Sequence, residues 1–284
     1  MVEQPRLGII GGTGLTNFNG LEDLRVIEID TPYGKPSSPV YLGTLSGARV
    51  AFLARHGAGH TIMPTEVNNR ANIFALKSIG VRRLLSISAC GSLREDYAPG
   101  HVVLPDQVVD FTRERARTFF GNGMVAHIST AEPFCPELTE LVYDSVAQTG
   151  AAVHKGGTAI TIEGPRFSTK AESHLFRSWG MSVIGMTTCP EIFLAREAQM
   201  CYVAIAHVTD FDVWHTAEES VNVEMIVQIL NRNITTIQES IQIVAQNLPG
   251  KSSCDCSHSL EKAVVTDPAR IPAVTSNSLA WLSE

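Results

Sequence analysis

Seven consecutive apolar residues, Met200 to Ala206, run almost directly into Thr209-Asp-Phe-Asp-Val-Trp214. A run of this length and character reads as a buried strand. Such a strand has no use for two acids at its end, because an unpaired buried carboxylate is expensive. Ligands, however, sit at the carboxyl ends of strands in an open α/β sheet. Asp210 and Asp212 therefore mark a place able to hold a protonated nitrogen base, or to protonate one as it leaves.

The rest of the chain repeats the pattern of strand, turn and helix. Arg6–Ile10, Pro39–Gly43, Ala48–Ala54 and Arg83–Ala89 read as strands. Glu66 to Ile79 has helical spacing, with Val67, Ala71, Phe74, Ala75 and Leu76 able to share a face and Gly80 closing it. Residues 137–149 and 170–179 read as helices, each followed by a glycine and an apolar strand. Glu191–Gln199 predicts a short helix, Met200–His207 a strand, and Val221–Gln246 a long helix. This alternation predicts an α/β sandwich around a parallel or mixed sheet. No repeat or linker precedes about residue 250, so residues 1–284 are expected to form one domain. Leu248–Glu284 is then a short helix and an extended tail.

A net charge of -7 with scattered Lys and Arg argues against a nucleic-acid surface, which needs clustered basic residues. No apolar run is long enough to span a bilayer, and Gln4-Pro5 precedes a strand almost at once. A soluble, cytoplasmic protein without a signal peptide is expected. Six cysteines are too few and too dispersed for a secreted disulfide framework. Cys90, Cys135, Cys189 and Cys201 read as buried thiols. Cys254-Asp-Cys256, followed by His258, reads as a disulfide or redox pair, or as two free thiols. The further ligands that a zinc site would need are not apparent, and no metal is expected.

Several other strand ends carry groups suited to an anion. Gly11-Gly-Thr13-Gly14 can present N–H groups and a hydroxyl, though it is neither a Walker nor a Rossmann sequence. Arg55-His56-Gly-Ala-Gly-His60 supplies a guanidinium and two imidazoles; a salt-bridging arginine with solvated histidines is the alternative. Ser86-Ile-Ser88-Ala89-Cys90-Gly91-Ser92 offers small residues and hydroxyls, without the elbow that a nucleophilic serine requires. In Thr161-Ile-Glu163-Gly-Pro-Arg166-Phe167-Ser168, Phe167 could stack on a flat heterocycle and Ser168 hydrogen-bond its edge, with Glu163 and Arg166 as a structural ion pair. Met186 and Thr187 end another strand. Met186 could pack under a sugar or belong to the core, and Thr187 could donate to phosphate.

Taken together these segments resemble the 5′-methylthioadenosine phosphorylase family of the trimeric purine nucleoside phosphorylase group. The resemblance runs in unbroken order from about residue 6 to 245. It is carried by Gly8–Leu15, Ala54–Gly57, Thr61–Pro64, Ala89–Glu95, Ala131–Pro136, Thr161–Ser168, Met186–Glu191 and Thr209–Trp214. It implies an α/β sandwich whose mixed sheet, flanked by helices, partly closes into a barrel. It implies a phosphate site of Thr13, Arg55, His56, Ser88, Ala89 and Thr187. Met186 would lie against the ribose and Phe167 and Ser168 at the base, with Cys90 also binding substrate. Val223 and Ile226 would line the 5′ pocket near His60, and Ser168 and Val223 would set specificity. His127 would reach in from a neighbouring subunit of a homotrimer or dimer of trimers. The Cys-x-Cys tail resembles that of heat-stable members, where it forms disulfides.

The implied reaction is phosphorolysis of 5′-methylthioadenosine to adenine and 5-methylthioribose-1-phosphate, a step of methionine and purine salvage. Inorganic phosphate is co-substrate and no cofactor is expected. A phosphorylase with another base preference, for methylthioinosine or 6-oxopurine nucleosides, is the alternative. Asp210 is the expected general acid at N7, so burial is expected to raise its pKa. Asp212 would accept from the 6-amino group.

Overall fold

In a computed structural model, residues 4–11, 20–215 and 223–283 are described. In chain order the strands are β1 (Leu7–Gly11), β2 (Glu22–Ile27), β3 (Val40–Leu45), β4 (Ala48–Ala54), β5 (Arg83–Ser92) and β6 (Val102–Leu104), then β7 (Gln107–Phe111), β8 (Val153–Lys155), β9 (Thr158–Ile162), β10 (Val183–Gly185) and β11 (Cys201–Asp210). The helices are α1 (Asn69–Ser78), α2 (Pro136–Gln148), α3 (Lys170–Ser178), α4 (Thr188–Glu197), α5 (Val223–Asn247) and α6 (Ala273–Leu279).

Strand alternation fixes the layers. Ile9, Val50, Phe52, Leu85, Ile87, Val203 and Ile205 point to one side, where they pack with residues of α2 and α5. Their neighbours Ile10, Ala51, Leu53, Leu84, Tyr202 and Ala204 point to the other, with residues of α1 and α4. A strand covered on both faces has no polar side to show. β11 is accordingly buried at all ten positions.

Local chemistry sets the helix ends. Asn68 accepts a hydrogen bond from the Ala71 amide and starts α1 three residues later than helical spacing suggests. Pro136 occupies the first turn of α2, and Thr169 and Glu172 form a reciprocal capping box on α3.

The sheet is mixed, in the order β2-β3-β4-β1-β5-β10-β9-β7. It divides at β5. Leu84–Ser86 pair in parallel with β1, whereas Gly91 and Ser92 pair antiparallel with β10, and β11 runs parallel along nearly the whole strand. β11 leads on to β6 and β8. Among the described residues no ladder joins β8 back to β7, so the sheet closes only partly, as expected. β1, β4, β5 and β11 all run the same way, which brings their carboxyl ends to one edge. No described helix is long and apolar enough to cross a membrane.

Candidate active site

At that edge lies a cavity of about 680 Å³. It is lined by Arg55, His56, His60, Ser88, Ala89, Cys90, Phe167, Ser168, Met186, Thr187, Asp210 and Asp212. Five strand ends separated by up to 157 residues of sequence thus meet in one place. Thr13 and the side chains of Val223 and Ile226 lie outside the described residues. His127 is exposed, its amide bonded to the Ala263 carbonyl, and does not line the cavity of its own chain.

The β5–β11 ladder gives the cavity a length. Ser88 pairs with Ala206, and Gly91 pairs with Asp210 beyond a bulge. Three residues of strand span ~10 Å. The hydroxyl end and the acid end are therefore separated by about a sugar's width plus its substituents.

Arg55 is tied more tightly than the sequence implies. Nε donates to Glu191 Oε2 (2.9 Å) and Nη2 to Glu191 Oε1 (3.1 Å) and Ser86 Oγ (2.7 Å), while Nη1 donates to the Ile87 carbonyl (2.9 Å). Glu191 Oε1 also accepts from Ser86 Oγ (2.6 Å) and the Tyr202 hydroxyl (2.9 Å). Both side chains are at most 1% exposed. Burial works against the guanidinium's charge, but the facing carboxylate more than offsets this and holds its pKa above the ordinary value. Of its five N–H groups, one on Nη1 is left over. Arg55 is thus both the salt-bridging arginine and a cavity-lining one, with its charge already matched.

His56 donates through Nδ1 to the Ile62 carbonyl (2.9 Å), since a carbonyl can only accept. Burial, then the Arg55 charge, lowers its pKa to about 4. The ring is neutral near pH 7, with a lone pair on Nε2. His60, at positive φ on the exposed rim, stacks on it with centroids 4.3 Å apart. Thr187 precedes α4 without spending its hydroxyl as a cap. That hydroxyl lines the cavity and can donate to an anion; the Cys189 amide behind it is already spent on Thr161 Oγ1 (3.2 Å).

At the other end, Asp210 closes β11. Its Oδ2 accepts from Thr209 Oγ1 (2.7 Å) and its Oδ1 from the Asp212 amide (2.8 Å). Asp212 sits at φ 50°, and its Oδ2 is buried without a protein partner. Burial raises the Asp212 pKa. Ser168 Oγ is likewise buried and unpartnered, beside half-exposed Phe167. Asp212 and Ser168 both line the cavity.

Two expectations need correction. Glu163 and Arg166 are not a pair. Arg166 binds Glu172 (2.7 Å), and Glu163 binds Arg115 (2.9 Å). Buried Arg115 also donates to the carbonyls of Met186 (2.7 Å), Cys189 (2.8 Å) and Glu163 (2.7 Å), clamping two of the site's loops. Metal ligands are the other. Among the described residues one group of such side chains does converge, away from the cavity, at Cys135, Cys201, Cys254 and Cys256.

Sequence patterns gave no role to His207, which also lines the cavity with Thr209 and Gly91 of the marked strand ends. His207 is masked by its apolar strand; burial lowers its pKa to about 4, and its Nδ1 has no partner. Gly91 is required by space. A Cβ there would lie 2.9 Å from Asp210 Oδ1 and 3.1 Å from Ile184 Cγ2. Gly91→Ala is expected to lower kcat by about 10²-fold, the cost of misplacing a reacting group by about 1 Å. Phosphate affinity should be kept, and an unchanged kcat would show that Asp210 has room to spare.

The chain belongs to the phosphorylase superfamily, whose family model matches residues 6–245. It is 49% identical to the S-methyl-5′-thioadenosine phosphorylase of Geobacter sulfurreducens, over 96% of each chain. Among solved structures it resembles a methylthioadenosine phosphorylase from an Antarctic soil metagenomic library, with TM-score 0.93, 43% identity and coverage of 98% and 99%. It also resembles the Schistosoma mansoni methylthioadenosine phosphorylase in complex with adenine, with TM-score 0.84, 36% identity and coverage of 88% and 93%.

Proposed function

We propose that the chain catalyses phosphorolysis of 5′-methylthioadenosine, releasing adenine and 5-methylthioribose-1-phosphate for purine and methionine salvage. One observation carries this reading: a single cavity holds donors suited to an anion at one end and two neighbouring carboxyls at the other, about a ribose apart. Phosphate rests on Arg55 Nη1, Ser88, the Ala89 backbone and Thr187. His56, neutral and with Nδ1 committed, accepts a hydrogen bond from a protonated phosphate oxygen. Thr13 completes the loop side.

A phosphate oxygen attacks C1′ while the C1′–N9 bond breaks, and its electrons pass to the purine. The ribose carries cation-like charge over Met186 as this happens. Asp210 delivers a proton to N7, so that adenine leaves neutral. Asp212 accepts from the 6-amino group, and Ser168 and Phe167 hold the base's edge and face. Cys90 packs beside it. Val223 and Ile226 are the residues expected to give the 5′-methylthio group an apolar wall.

Release of adenine measured with and without phosphate tests this. We expect no release from methylthioadenosine without phosphate, and release that saturates with it. Phosphate-independent cleavage would mean a hydrolase and overturn the assignment. Adenosine is expected to react about 10–200-fold less efficiently, the range open to apolar discrimination. Equal efficiency would remove the apolar wall. One observation favours a second reading: with its raised pKa, a protonated Asp212 could donate to a 6-keto oxygen. Inosine cleavage that grows as pH falls would support that reading.

His127 acts in a neighbour's cavity only if the chain assembles. Light scattering is expected to give three copies or a multiple of three, and a monomer active at assay concentration would remove His127 from the site. We place the enzyme in the cytoplasm, and fractionation finding it outside would refute this.

A further inference from the structure

Cys201 opens β11, at the edge of the sheet opposite the cavity. Around it gather Cys135, at the N-cap of α2, and Cys254 and Cys256, which flank the start of a short turn at Asp255–His258. All four Sγ atoms lie within 4.8 Å of one another, and those of Cys201 and Cys254 are 3.4 Å apart. We propose that these four cysteines form a structural site for one zinc ion, which fastens the C-terminal segment to the sheet.

Geometry separates this from a pair of disulfides. Two disulfides ask for two short pairs and set no limit on the other four separations. A tetrahedral ion with metal–sulfur bonds of about 2.3 Å makes all six sulfur–sulfur edges about 3.8 Å, and all six are short here. A set of four thiolates with no open position is a structural zinc donor set, whereas a catalytic ion keeps a place for water or substrate.

The surroundings suit bound thiolates. The Leu138 amide, in the first turn of α2, donates to Cys135 Sγ (3.4 Å), and Arg196 Nη1 donates to Cys256 Sγ (3.2 Å). Ser252 Oγ lies 3.1 Å from Cys254 Sγ and 4.0 Å from Cys201 Sγ. Four thiolates and one divalent cation carry two net negative charges. The Arg196 guanidinium and the positive end of α2 oppose that charge from two sides. Glu137 holds the loop before Cys254, accepting from the Ser253 amide (2.7 Å) and Ser253 Oγ (2.7 Å). Cys135, Cys201 and Cys256 are buried and Cys254 is partly so, which leaves the site an outward side for the ion to enter.

Full-length protein purified under reducing conditions should contain one zinc per chain by elemental mass spectrometry. Exchange with cobalt should give thiolate-to-cobalt charge-transfer absorption and the visible bands of a tetrahedral ion. The Cys254→Ser/Cys256→Ser variant changes only the C-terminal pair. It should bind zinc at least about 10–100-fold more weakly, since outer-sphere changes alone cost that much. Chelator should lower the Tm of the unmodified protein and leave that of the variant unmoved. Protein without stoichiometric zinc, or an intact mass showing two disulfides in the freshly isolated chain, would overturn the proposal. These readouts do not depend on turnover, so they stand or fall separately from the phosphorylase reading.

Discussion

Asp210→Asn is expected to lower kcat on methylthioadenosine by about 10²–10⁴-fold, the usual worth of a positioned proton donor. The substitution should leave the fold in place. An asparagine carbonyl can still accept from the Asp212 amide, as Oδ1 does now at 2.8 Å. Thr209 Oγ1 can turn its hydrogen to the Cys90 carbonyl, 3.2 Å away, and accept from the new amide group. Thermal denaturation should therefore barely move while the chemical step slows. Phosphate affinity, set at the far end of the cavity, should also be retained. Turnover equal to the unmodified enzyme would remove Asp210 as the acid and direct attention to Asp212, whose carboxyl burial already pushes up.

Glu191→Ala is the substitution expected to cost most stability. It strips the carboxylate from a guanidinium that is 1% exposed, and leaves Ser86 and Tyr202 without their acceptor. Removing one partner of a buried pair costs about 3–5 kcal/mol. Urea denaturation at pH 7 measures it, and a loss below about 1 kcal/mol would mean that water or a neighbour takes over the carboxylate's role. The Arg55→Met/Glu191→Leu double variant distinguishes structure from function. Apolar replacement of both partners removes the uncompensated charge, so part of the lost stability should return, less the cost of the unpaired Ser86 and Tyr202 hydroxyls, while phosphate binding should not.

The elements with strong periodicity were legible in the sequence. Ala48–Ala54 is a strand at those residues, and the helices at 137–149 and 170–179 shift by one residue at most. β2 was not, because Glu22–Ile27 is an exposed edge strand with no buried face to impose alternation. The three-residue strands β6 and β8 are too short to show a period. In the site, strand ends stood out because Gly, Ser, Asp and Arg interrupt apolar runs there. Pairings did not: Arg55 finds Glu191 across 136 residues, and no local pattern encodes that. Glu163 and Arg166 mislead for the opposite reason. They are neighbours in sequence, but the Thr169 cap brings Glu172 to Arg166, while Arg115 arrives from another loop to take Glu163. Cys254-Asp-Cys256 was visible as a motif, whereas its companions Cys135 and Cys201 looked like ordinary core thiols.

The parting of the sheet at β5 has a bearing on how such a pocket changes over time. Ser88 to Gly91 and Ala206 to Asp210 are held by the β5–β11 ladder, so their spacing is set by backbone geometry and resists single substitutions. Phe167, Met63 and His60 belong instead to loops at the mouth, half or fully exposed, with few packing obligations. A lineage can therefore retune which nucleoside enters by editing the mouth, and leave untouched the frame on which the bond is broken.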